Sequence, residues 1–185
     1  MKLPESIETS RTLLRKPILA DAKKIFESYA SNTEVTKYLS WKTHKTVLET
    51  HAFITTCLQD WQEGTAFHWV IEEKTSKDLM GMVTVKHQGH KANFGYVLAK
   101  KHWGKGYMTE VAKEIVQLLS NEPSIIRIWA FCDTENSASC RVMEKAGLTK
   151  EGILKSWIIH PNKSDVPRDC HSFVLIKSNQ QGENK

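Results

Sequence analysis

The chain predicts an α/β protein of the α+β kind, a mixed sheet of about seven strands with helices on both faces. Three observations carry this. An apolar run ending at Phe94–Ala99, a glycine turn and an amphipathic helix are followed by a second apolar run, Ile125–Cys132, a β-α-β unit whose strands run parallel with a right-handed crossover. Ahead of it, Thr65–Glu73 and Leu79–His87 are joined by short polar turns at Lys74–Asp78 and Gly89–His90, which marks antiparallel neighbours. Behind it, Leu148–His160 and Cys170–Lys177 flank a loop rich in Pro, Asn and Asp and complete the sheet.

From the start of the chain, Thr9–Lys16 reads as a first strand, ended by Pro17, which has no N–H to give a ladder. Asp21 can cap a helix whose inner face is Ala22, Ile25, Phe26 and Tyr29 and which stops near Ser31 and Asn32. A loop holding Tyr38 and Trp41 follows. Thr46 and Glu49 make a capping box for a helix that sets Val47, Ile54, Leu58 and Trp61 on one side and ends at Gly64. After the three antiparallel strands, the chain turns through Lys100–Gly106. The next helix repeats Tyr107, Met108, Val111, Ala112, Ile115, Val116 and Leu119 at the helical period. Asn136 or Ser137 caps a short helix with Val142, Met143 and Ala146 inside, and Gly147 closes it in the left-handed conformation.

Composition narrows the function. At 185 residues, 40% hydrophobic and 25% charged, the chain suits one globular domain, residues 1–178, with a polar tail at 179–185. The net charge of +5 comes from 26 basic residues scattered among 21 acidic ones, a solvated surface with no block that would hold nucleic acid. Cys57, Cys132, Cys140 and Cys170 form no CxxC pair and no metal spacing with histidine, so they read as reduced thiols and no metal is expected. No apolar stretch is long enough to span a membrane, and Met1–Ser10 carries acidic residues where a signal peptide needs an apolar core. The expectation is a cytoplasmic protein with no membrane partner.

The chemistry concentrates after the strand at Val97. Gly104 and Gly106 let a ligand approach the backbone, the N–H groups of the helix start are unpaired, and Lys101 and Lys105 add positive charge, so the turn is a cradle for phosphate. The P-loop pattern is excluded because Gly106 follows Lys105, and the dinucleotide fingerprint because its third glycine would fall at Thr109. What remains is [RQK]xxGxG at Lys101–Gly106. Taken alone, this pattern equally suits a strand-to-helix turn that merely needs glycine.

GYVL, then WGKGYMTE, then NxxSxRVMEKxGL about thirty residues on, together resemble the GNAT superfamily of acetyl-CoA-dependent N-acetyltransferases, most of all its RimJ/RimL type, which acetylates protein N-termini. The resemblance implies a splayed parallel strand pair that takes the pantetheine arm of acetyl-CoA along the backbone of Val97, Leu98 and Ala99. It places His102, Trp103, Gly104, Lys105, Gly106, Tyr107, Met108 and Thr109 around the pyrophosphate, with Asn136, Ser139 and Arg141 as further cofactor contacts. Ser139 would be the general acid for the departing thiolate, or else only a residue of the helix start, and the Leu98 backbone N–H would polarise the carbonyl. The sequence departs from relatives at Met143, where many carry a tyrosine acid, and at Ile158, where some carry a glutamate base. Glu73, His87, Glu151 and His160 are the groups left as candidate bases.

The implied reaction is transfer of an acetyl group from acetyl-CoA to a primary amine, most naturally a protein N-terminal α-amine. A small-molecule amine such as an antibiotic or polyamine, and a catalytically weak acyl-CoA-binding module, stand as alternatives. The acceptor wall falls to the Thr33–Lys45 and His160–Arg168 loops, with Tyr38, Trp41, His44 and Lys163; lacking a dense acidic cluster, it disfavours a polycation. The quaternary state is left at monomer or homodimer.

Overall fold

A computed structural model describes residues 1–177, and the tail expected at 179–185 lies outside the described residues. One mixed sheet runs in the order β1-β2-β3-β4-β5-β6-β8-β7. Its strands are β1 Ser6–Glu8, β2 Thr12–Arg15, β3 Ala66–Glu73, β4 Leu79–Gln88, β5 Lys91–Leu98, β6 Arg127–Asp133, β7 Thr149–Ile158 and β8 Arg168–Ile176. The first strand expected from sequence is a hairpin instead, which brings the strands to eight. Thr9 breaks it by donating its N–H to Thr12 O and accepting the Thr12 N–H on Oγ1, each at 2.9 Å.

The first helical run is less regular than its periodicity predicts: a 3-10 turn at Leu19–Asp21, α1 at Ala22–Ile25 and a π turn at Phe26–Ala30. Asp21 does not cap it. Its carboxylate takes the Ile18 N–H and pairs with Arg15 at 2.7 Å. The segment expected as pure loop holds α2, Thr33–Thr36, capped by Asn32. Thr46 caps α3, Val47–Glu63, but Glu49 reaches the Lys45 N–H, so the box closes one residue early. Then come α4, Tyr107–Asn121, and α5, Ser137–Lys145. Asn136 rather than Ser137 caps α5, its Oδ1 accepting the Ser139 N–H at 3.2 Å.

Alternation along the strands sends side chains to two cores. On one face, Met108, Val111, Ala112, Ile115 and Leu119 of α4 pack on Ala92, Phe94, Ile128 and Ala130. On the other, Ile25, Tyr29, Ile54 and Cys57 pack on Val70, Met82 and Ala99. This second layer covers β3, β4 and the end of β5. Beside it on the same face, Trp129 and Phe131 of β6 meet Trp157 of β7 edge-on, with ring centroids 6.4 and 5.9 Å from it.

Among the described residues only β5 and β6 pair in parallel, and they do so over just Lys91–Asn93 against Arg127–Trp129. Beyond that point β5 pairs with β4 alone and β6 with β8 alone, so the two strands part and a V opens toward their carboxyl ends. Gly81 lets β4 lie close to the far arm of the V, since a Cβ there would stand 2.1 Å from Val97 O.

Candidate active site

The β4–β5 register decides which backbone groups face the V. Ala99 N–H donates to Met80 O at 2.7 Å, and in an antiparallel ladder bonded and non-bonded pairs alternate. Val97 therefore also spends its polar groups on β4, and Leu98 turns its N–H and C=O into the V. The Leu98 carbonyl accepts the indole N–H of Trp103 at 2.6 Å, which leaves the N–H as the donor aimed at the gap. Of Val97, Leu98 and Ala99, the residues expected to meet a pantetheine arm, only Leu98 offers polar backbone to it.

At the open end of the V, Gly104 and Gly106 have φ of 73° and 80°, the left-handed region in which glycine carries no steric cost. Gly106 is the N-cap of α4, so no side chain caps the first turn; its carbonyl accepts from Glu110, and the N–H groups of Tyr107, Met108 and Thr109 face outward. Lys105 adds charge there, whereas Lys101 is engaged with Asp78 at 2.7 Å. His102 packs the turn from below, buried and edge-on to Tyr107, and burial with Lys101 beside it pushes its pKa down. Trp103 is half-exposed over the end of β5.

The turn is anchored from a distance by residues that sequence reasoning did not single out. The Glu110 carboxylate accepts from Thr9 Oγ1, Arg11 N and Arg11 Nε at 2.6, 2.8 and 2.7 Å. Arg11 also donates to Lys105 O at 3.1 Å and lies over the Tyr107 ring. Burial would raise the Glu110 carboxyl, but the Thr9 hydroxyl and Arg11 outweigh it and hold its pKa below the usual carboxylate range.

On the α5 side of the V, Ser139 is fixed through its N–H by Asn136, and its Oγ lies 2.7 Å from the Tyr96 hydroxyl. Tyr96, on β5, was missed in the sequence because its partner is 43 residues away and no local spacing links them. Met143 is buried in the α4 core, and Ile158 ends β7 opposite Arg168. Arg141 is exposed on α5, its guanidinium 3.4 Å from Ser137 Oγ. The Cys132 and Cys140 sulfurs lie 3.3 Å apart, a proximity that the cysteine spacing did not foretell, and all four cysteines are free.

The candidate bases divide, His87 and Glu151 lining one cleft on the open face of the sheet and Glu73 and His160 lying outside it. Glu73 closes the β3–β4 turn by accepting the Ser76 N–H, His87 stacks on Phe67, and Glu151 pairs with Arg127. His160 is buried at the carboxyl end of β6, with Nδ1 3.4 Å from Leu39 O and Nε2 3.6 Å from Asp133 Oδ2. Burial pushes the His160 pKa down and keeps it neutral, although the Leu39 carbonyl and Asp133 oppose this. Burial would raise Asp133, but Arg168 at 2.5 Å and the Glu135 N–H hold its carboxyl below the usual range.

The two loops expected to wall the acceptor meet. Asn162 accepts the Thr43 N–H at 2.9 Å and donates to Thr36 O and Trp41 O, while the Lys163 ammonium lies 4.5 Å from the Tyr38 ring centroid. Neither loop lines the open cleft of the sheet: on the face that α1–α3 leave open, a cleft of about 430 Å³ begins at Asn93 and Trp129, the last parallel pair, and continues past Lys86, Arg127, Glu151 and Trp157. Among the described residues no cluster of three His, Cys, Asp or Glu could hold a metal, and no helix is long and apolar enough to cross a membrane.

The glycine turn, the helix start and the V are an arrangement found in proteins of known family. Residues 11–149 match the family model described as the acetyltransferase (GNAT) domain. The chain is 29% identical to the uncharacterized N-acetyltransferase YoaA of Bacillus subtilis (strain 168), over 92% of this chain and 96% of that protein. It is 24% identical to the [ribosomal protein uS5]-alanine N-acetyltransferase of Escherichia coli (strain K12), over 83% of this chain and 82% of the enzyme. The microcin C7 self immunity acetyltransferase MccE, solved with acetyl-CoA and AMP, shares the fold with a TM-score of 0.84 at 23% identity, over 95% of this chain and 98% of that one. More than half of the chain lies within the matched domain, and the chain belongs to the GNAT family of acetyltransferases.

Proposed function

We propose that this acetyltransferase moves the acetyl group of acetyl-CoA onto the α-amine of a protein N-terminus. The observation that carries the reading is the open cleft that starts where the V closes, at Asn93 and Trp129. A cofactor lying along β5 from the Gly104–Gly106 turn presents its thioester toward that apex, and the cleft beyond has room for an extended chain behind the attacking nitrogen. The relative from Escherichia coli, which takes the alanine of a ribosomal protein as acceptor, supports the same class.

The chemistry asks little of the protein. An α-amine has a reference pKa of about 8 and is partly neutral near pH 7, whereas a lysine amine at about 10.4 would need a strong base. The neutral nitrogen attacks the thioester carbon, the oxyanion takes the Leu98 N–H, and the C–S electron pair leaves on sulfur. Ser139 gives its hydroxyl proton to the sulfur, solvent restores it, and the proton shed by nitrogen goes to water in the cleft. A thiol of reference pKa about 8.5 is already a fair leaving group, so positioning supplies most of the rate.

Turnover of acetyl-CoA against a panel of N-terminal peptides, a polyamine and an aminoglycoside tests the reading. Acetylated peptide α-amines are expected; acetylation of the small amines alone, or none, overturns it. Gly104→Val and Gly106→Val are expected to abolish CoA binding in calorimetric titration with the fold retained, and binding like the parent would remove the cradle from the site.

A further inference from the structure

The Tyr96 and Ser139 hydroxyls face each other at 2.7 Å across the V, and either oxygen could be the donor in that hydrogen bond. The direction matters because a serine hydroxyl has a single proton. Spent on Tyr96, it is lost to the sulfur; left free, it can turn into the V. We propose that Tyr96 is the positioning residue for Ser139: the phenol donates to Ser139 Oγ and so leaves the serine proton aimed at the departing thiolate. The inference rests on the reading of Ser139 as proton donor.

Three features set the direction. A phenol, of reference pKa about 10, is the stronger donor of the two hydroxyls, so the shared bond is best formed with Tyr96 giving and Ser139 receiving. The Tyr96 ring packs on the α4 face of β5, where it stacks on Phe94 with centroids 6.4 Å apart. The Ser139 backbone is fixed independently by Asn136, so the serine hydroxyl is not needed as a cap and is available for chemistry. Tyr96 keeps its own proton throughout. Burial, the largest influence on it, raises its pKa and disfavours a tyrosinate in the V.

Steady-state kinetics of Tyr96→Phe, Ser139→Ala and the double variant decide the matter. Tyr96→Phe keeps the ring and its packing, so KM for acetyl-CoA and Tm should stay at the parent values while kcat falls roughly three- to tenfold. Ser139→Ala should lower kcat by about ten- to a hundredfold, and the double variant should be no slower than Ser139→Ala, because with the serine gone there is nothing left to orient. Ser139→Thr, which keeps a hydroxyl, should remain sensitive to Tyr96→Phe. A parent-like kcat in Tyr96→Phe beside a slow Ser139→Ala overturns the inference and leaves the serine reading standing. So do multiplied effects in the double variant, or a loss in Tyr96→Phe that appears in KM and Tm. A parent-like rate in Ser139→Ala removes the serine reading itself, and the inference with it.

Discussion

Gly95 stands on β5 two residues beyond the last parallel pair, and a Cβ built there would meet nothing within 4 Å. Like Asn93 it faces the open side of the sheet, where the cleft begins. Valine suits a strand, so Gly95→Val should leave Tm and the Kd for acetyl-CoA near the parent values while its side chain stands where the acceptor must pass. A several-fold rise in KM for the amine is expected, and an unchanged acceptor KM would place the acceptor elsewhere. At this scale legibility followed locality. Gly104 and Gly106 could be read because a left-handed turn at a helix start leaves a mark within six residues. Tyr96 and Asp133 could not, because their partners Ser139 and Arg168 lie 43 and 35 residues away and are brought near only by the sheet.

Among elements, the β1–β2 turn and the start of α4 are tied together across about a hundred residues of sequence by one carboxylate, Glu110, which receives Thr9 and two donors of Arg11. Hydrogen bonds to a charged group are each worth about 1.5–3 kcal/mol when buried. The partial exposure of Arg11 discounts the set, so Glu110→Ala should cost about 2 kcal/mol in denaturant unfolding. Because Arg11 also holds Lys105 O, the same change should weaken acetyl-CoA binding measured by calorimetry, and binding at parent strength would show that the glycine turn holds its shape unaided. α4 was the most legible element, since six of the seven apolar positions read from its period are buried. The first helical run was the least. Its turns change from 3-10 to α to π, and Asp21 is drawn off to Arg15 and the Ile18 N–H, contacts that periodicity does not see. The parallel pair could be foreseen from the β-α-β pattern, but not the point at which it parts, which is set by the register against β4 and β8.

In the whole molecule, the V lies between two halves of one sheet with a core on each face, and three imidazoles are buried within the fold. His68, His102 and His160 are almost fully buried. Burial lowers the pKa of each below 6.5, against Asp60 for His68 and Asp133 for His160, and with the help of Lys101 for His102. The folded state therefore binds fewer protons than the unfolded chain as the pH falls through 6.5, so the stability tied to these groups is full above that value and is lost below it. Glu110 and Asp133, whose carboxyls are also held low, act in the same direction at still lower pH, where the unfolded chain takes up protons first. Thermal unfolding at pH 7.5 and 5.5 should thus show a lower Tm at 5.5, and His160→Gln should shrink the difference by removing one buried site that resists protonation. A Tm that is level or higher at pH 5.5 would mean that the imidazoles accept protons in place, with Asp133 and Asp60 close enough to hold the charge.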